Sequence, residues 1–193
     1  MKYFVLSIFV FCTFLTQAQQ EEETAFILEG PSDWRKEILS LPLDFAPSLK
    51  YNGTEYVLFA KGWSKEKAPD FWTYSFAWDL YDSPAINEES LTNDLKAYFD
   101  GLMKVVAGDK IPKDKITPTL VNLKSSDKGA SYQGQIQIFD AFFLKEQITL
   151  NLRVIPTYCK VDERYVVYFQ FSPQAFTHEL WATMKTIKIP CSN

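Results

Sequence analysis

The sequence predicts an α+β fold: an antiparallel sheet of about six strands with a long central amphipathic helix and a C-terminal helix packed on it. Three observations carry this. Leu91, Leu95, Tyr98, Phe99, Leu102, Met103 and Val106 recur at intervals of three and four, the period of one helix face. Residues 71–80 and 132–154 instead alternate apolar with polar side chains, the period of strands buried on one side. Strand patterns lie both before and after the long helix, an order that suits helices layered on an antiparallel sheet.

Taken in order, residues 1–18 read as a signal peptide. Lys2 gives the positive start, residues 3–15 are almost unbroken apolar, and Thr16-Gln17-Ala18 ends on a small residue. The apolar run is shorter than the roughly 20 residues that span a bilayer. Residues 19–30 read as a flexible, acidic lead-in, and 31–193 as one domain. Removing 18 of the 193 residues leaves 175, enough for one sizeable core. Ser32-Asp33-Trp34-Arg35 has the chemistry of a helix start, so a short helix is expected to about residue 40, ended by Pro42 and Pro47.

Residues 55–61 and 71–80 predict a hairpin with a long tip that carries Trp63. In its second strand Trp72, Tyr74, Phe76, Trp78 and Leu80 share a face. The helix at 88–107 has Asn87 as N-cap, Glu88 and Glu89 at its positive end and Gly108 at its stop. Further strands are expected near 119–124, 132–138 and 147–154, with a turn at 125–129. One or two more fall within 158–171, around the turn Val161-Asp162-Glu163. Ser172-Pro173 opens the last helix, with Phe176, Leu180, Trp181 and Met184 as its apolar stripe. Because the outer sides of several strands carry Gln, Thr, Asn and Arg, both helices are expected on the same apolar face, unless the sheet curls towards a barrel.

Charge narrows the function. The formal charge of −4 becomes −5 once Lys2 leaves with the signal, and Arg35, Arg153 and Arg164 are the only arginines. That balance lacks the basic stripe nucleic-acid binding needs. Cys12 leaves with the signal, and Phe11 before it is too bulky for a lipidation site. Cys159 and Cys191 remain as a candidate disulfide, the alternative being two free thiols.

Sites for chemistry are sparse. His178 is the lone histidine, beside Glu179. A surface role is the simpler reading, with a Cys159/His178 dyad left open. No Gly-x-Ser-x-Gly elbow is present, the mature chain has too few Cys and His for a structural zinc site, and residues 109–114 lack an EF-hand pattern. Gly129 and Gly134 do not form a phosphate loop. No metal or cofactor is expected. Asp70, Asp79 and Asp82 bracket the aromatic strand, which keeps a carboxylate-dependent hydrolase as the second reading, although Trp72 and Trp78 read as core. The candidate contact residues are Trp63 in its charged loop and Phe142 and Phe143 between two amphipathic strands. Either they are exposed as a binding patch or they fold into the core.

The run Phe71-Trp72-Thr73-Tyr74-Ser75-Phe76-Ala77-Trp78-Asp79-Leu80, followed by Leu91 and by Asp94-Leu95-Lys96-Ala97-Tyr98-Phe99-Asp100-Gly101-Leu102, resembles a pattern in small exported bacterial proteins with no assigned activity. The element order and the ending at 180–189 resemble the Mog1/PsbP-type α/β sandwich, whose members are largely binding or assembly proteins. The first resemblance implies a bacterial envelope protein and carries no catalytic residues across. The expectation is a non-catalytic binding module of the periplasm or exterior. Its partner would be a protein or small ligand, and the mature chain would hold no transmembrane segment.

Overall fold

The computed structural model describes residues 25–126, 131–189 and 191. The segment read as a signal peptide lies outside these residues, as does most of the turn expected at 125–129. Seven strands form one antiparallel sheet: β1 Arg35–Leu41, β2 Gly53–Phe59, β3 Tyr74–Leu80, β4 Leu120–Ser125, β5 Tyr132–Phe139, β6 Gln147–Cys159 and β7 Arg164–Ser172. Two α-helices are described, α1 Glu88–Ala107 and α2 Glu179–Lys185, with a 3-10 turn at Lys113–Lys115. The sheet order is β1-β2-β3-β7-β6-β5-β4. Two meanders, one from each half of the chain, therefore meet at the β3·β7 seam, and α1 carries the chain from the middle of the sheet to its far edge.

The helix expected before Pro42 is instead strand β1. Its start is a turn in which the Trp34 N–H donates to the Pro31 carbonyl at 3.1 Å. From there β1 pairs along its whole length with β2, Leu39 opposite Glu55 and Leu41 opposite Gly53. A cap-like tetrapeptide does not outweigh seven residues of ladder together with burial of Leu41 and partial burial of Leu39. This is also the seventh strand beyond the expected six.

Helix α1 runs over the residues its periodicity marks. The Asn87 side chain accepts from the Ser90 N–H while Ser90 Oγ accepts from the Asn87 N–H, a reciprocal cap. Leu91, Leu95, Tyr98, Phe99 and Met103 are buried against Phe76, Trp78, Phe169 and Phe171. Each such side chain contributes roughly 1.5–3 kcal/mol. Gly101 sits mid-helix, where it lowers helix propensity by about 1 kcal/mol. A Cβ at this position would lie 1.9 Å from the Phe45 carbonyl oxygen, so the glycine lets residues 42–49 cross the helix closely.

Helix α2 does not share that face. Trp181 and Met184 pack with Tyr56, Leu58, Ala77, Val166 and Tyr168, the opposite strand parity, in a second core on the other side of the sheet. The sheet is thus covered on both sides at β2, β3 and β7, and all seven residues of β3 are buried. The polar residues Gln133, Gln135 and Gln137 lie on the second side but on β5, where they are exposed. Polarity on one half of a sheet face therefore did not decide the other half. Residues 25–30, the end of the expected lead-in, lie against this second core: Leu28 is buried, and Glu29 bridges to Lys188. The Cys159–Cys191 disulfide ties the chain end to β6 here. Among the described residues no helix is long and apolar enough to cross a membrane.

Candidate functional site

Two loops bring Trp63, Phe142 and Phe143 together at one end of the sheet. The first joins β2 to β3. Ala60 N–H donates to the Thr73 carbonyl, and Asp70 accepts from the Gly62 N–H at 2.8 Å, which folds the tip back and fixes Trp63. The second joins β5 to β6 and is organised by Asp140, which is fully buried. One of its oxygens accepts from the Phe142 and Phe143 N–H groups at 2.8 and 3.0 Å. The other accepts from Leu144 N–H at 2.8 Å and from Trp72 Nε1 at 3.0 Å. A side chain that accepts from the backbone just ahead of it is the Asx-turn chemistry of aspartate. Here a fourth donor, from the other loop, joins the two.

The Trp63 ring lies 5.5 Å from Phe142 and 5.0 Å from Phe143, and Phe71 lies 5.6 Å from Phe143. Arg35 caps the cluster, its guanidinium 4.2 Å from the Phe59 ring centre and 5.7 Å from that of Trp63. Trp63, Phe71, Phe142 and Phe143 are each half-buried: they pack on the main core and keep an edge at the surface. These side chains are thus neither fully exposed nor fully taken into the core.

Backbone strain concentrates at the same place. Trp72 has φ 52° and Lys145 φ 59°, and only one other described non-glycine residue, Glu163, has a positive φ. Such conformations cost of order 1–3 kcal/mol and persist where surrounding contacts over-determine them. The contacts at Trp72 are its N–H bond to the Trp63 carbonyl and its Nε1 bond to Asp140. Lys145 donates from Nζ to the carbonyls of Ala141 and Phe142. The Trp63 Nε1–H is buried without a partner among the described residues.

The other sequence candidates are held by separate local partners. Asp70 serves the Gly62 turn. Asp79 faces the second core and pairs with Arg164 at 2.6 Å. Asp82 accepts from Asn52 Nδ2 at 2.8 Å at the surface. His178 is the N-cap of α2, its Nδ1 accepting from the Leu180 N–H at 3.2 Å. The disulfide removes the thiol that a Cys159/His178 dyad requires. Among the described residues no three His, Cys, Asp or Glu side chains gather as metal ligands.

Sequence reasoning passed over two fully buried carboxylates, Asp140 and Glu55. Glu55 points from β2 into the main core and accepts from Trp78 Nε1 at 2.7 Å and Tyr98 OH at 2.8 Å. Its signal was there: it lies in strand phase with Val57 and Phe59, on the side those residues bury. Burial pushes its carboxyl up to about 7, and the Trp78 and Tyr98 donors lower it only in part. A carboxyl raised on folding contributes stability below its unfolded value near 4.5 and loses it as pH rises to about 7. The loss from Glu55 amounts to about 3 kcal/mol. Urea unfolding of wild type and Glu55→Gln at pH 5 and pH 8 checks this. The variant is expected to gain about 3 kcal/mol relative to wild type between the two pH values. Parallel pH profiles would contradict it.

Comparison with known protein families, curated proteins and solved structures finds no match to this chain.

Proposed function

We propose that this chain is a non-catalytic binding or assembly module exported to the bacterial envelope or beyond, with Trp63, Phe142 and Phe143 as its contact residues. The observation that carries the reading is the construction of the Asp140 loop. A fully buried carboxylate, two strained backbone positions and a basic side chain hold three half-buried aromatic rings where two loops meet. Hairpin tips are ordinarily polar and mobile. Rigid aromatic edges beside an arginine are the residue types that anchor interfaces, because they bury much apolar area with little loss of rotamer freedom. The disulfide supports an oxidising compartment, as the signal-like start does. The acidic side chains that would serve a hydrolase are each engaged elsewhere, so the geometry favours the binder.

The test is recovery of partners from envelope extract on immobilised protein. Phe142→Ser with Phe143→Ser is expected to reduce recovery of the specific partner at least about tenfold, the effect of losing a central aromatic anchor. Val105→Ser, at an exposed apolar residue on α1, serves as a control and is expected to recover it fully. Equal recovery by a folded double variant would remove the surface from consideration.

A further inference from the structure

We propose that a cavity between the second half of α1 and the α1–β4 loop binds a small monocarboxylate, with its apolar chain inside and its anionic head at two lysines. The cavity, of about 240 Å³, is lined by Met103, Lys104, Lys113, Ile116 and Phe139, among others. Its lining includes none of the residues proposed above as contacts, so this inference does not depend on that reading. Met103 and Phe139 are buried at 1% and 5% exposure and present apolar side chains to the space, with Ile116 partly buried beside them. Its volume is just below the usual range for drug-sized ligands. At about 30 Å³ per water-sized group it holds on the order of eight groups.

Two lysines and one aspartate line the cavity, a net positive charge. Lys104 and Lys113 are exposed, and neither belongs to an ion pair among the described residues. Asp100, the one acid lining the cavity, accepts from the buried Thr119 N–H at 2.7 Å and so ties the wall to α1. Around it, residues 100–119 carry four lysines against three aspartates, in a chain whose formal charge is −4. Lysine ammonium groups donate and cannot accept, which selects an anion. An apolar floor selects a chain behind that anion, because each buried CH₂ contributes about 0.8 kcal/mol. The wall itself is structured by the 3-10 turn, where the Ile116 N–H donates to the Lys113 carbonyl.

Sodium octanoate, 1-octanol and octylamine, each below its aggregation limit, test this by calorimetry and amide NMR on the disulfide-bonded protein. Octanoate is expected to bind saturably at or below about 1 mM, with shifts centred on Met103, Ile116 and Thr119, and octylamine to leave the spectrum unchanged. Lys104→Glu with Lys113→Glu is expected to weaken octanoate about tenfold while leaving octanol unaffected. Both positions are exposed, and an unchanged unfolding midpoint confirms the variant's fold. Lys65→Glu, remote in the β2–β3 loop, is expected to leave octanoate affinity unchanged. The inference fails if octanoate shows no saturable shift, if its shifts map elsewhere, if octanol binds as tightly, or if the double variant binds octanoate like wild type.

Discussion

Asp140→Ala is expected to lower unfolding free energy by about 4 kcal/mol, the largest single-residue effect in the β5–β6 loop. The carboxylate accepts four donors and is wholly buried. A buried donor left without its partner costs about 1–3 kcal/mol, and bonds to a charged acceptor are stronger than neutral ones. The three backbone N–H groups recover part of this by opening the tip to water. The Trp72 Nε1–H has no such route, since Trp72 is buried at 1% exposure. Asp140→Asn keeps one carbonyl oxygen for Phe142 and Phe143 but turns an N–H towards Leu144 or Trp72, so an intermediate loss is expected. Urea unfolding at neutral pH measures both. A loss under about 1 kcal/mol for Asp140→Ala would show that the loop holds without its carboxylate.

The second large effect belongs to the disulfide. Cys159 and Cys191 are 32 residues apart, and closing a loop of that length restricts the unfolded chain by about 3 to 4 kcal/mol in the loop-entropy model. Cys159→Ala with Cys191→Ala is expected to lose that amount in urea unfolding, and reductant to lower wild type equally while leaving the variant unchanged. The bridge closes a loop that contains β7 and α2, so local opening is expected first around Trp181 and Ile187, where the second core depends on the chain end. Intact mass of non-reduced exported protein gives the independent check: a mass two hydrogens below the reduced chain. Two free thiols would contradict it.

The parts of this fold that were legible in the sequence are those whose signals are local. Asn87, Glu88, Glu89 and Gly108 mark α1 at both ends, and the α1 stripe needs no knowledge of its partner. β1 was not legible, because Ser32 and Asp33 supply a helix-start signal while the deciding interaction is a ladder to residues 53–59. The face taken by α2 turned on the same limit. Of its expected stripe Trp181 and Met184 are buried on the helix, which begins at Glu179 and so leaves Phe176 outside it, but Tyr56, Leu58, Ala77 and Tyr168 had to be recognised as a second buried parity within strands that also bury the first. The run Val166-Val167-Tyr168-Phe169 carried that message, since an unbroken apolar strand is buried on both sides. Of the site, Trp63, Phe142 and Phe143 were legible as misplaced apolar residues. Asp140 was not: nothing in its neighbours shows that Trp72 arrives from 68 residues earlier.

The seam between the two meanders sets a timetable. Tyr74 pairs with Phe171 and Leu80 with Tyr165, so the centre of the sheet joins residues more than 80 apart, with α1 and three strands between them. Closure of such distant pairs is slow relative to local turns and helices. Were the chain threaded through a membrane from its N-terminus, as the proposed export implies, β1 to β3 and α1 would emerge with their apolar faces unmatched, and the partner of β3 would arrive almost last. Until then the aromatic strand Tyr74–Leu80 lacks its β7 neighbour along one edge, which is the interval in which a holding chaperone would have the most to grip.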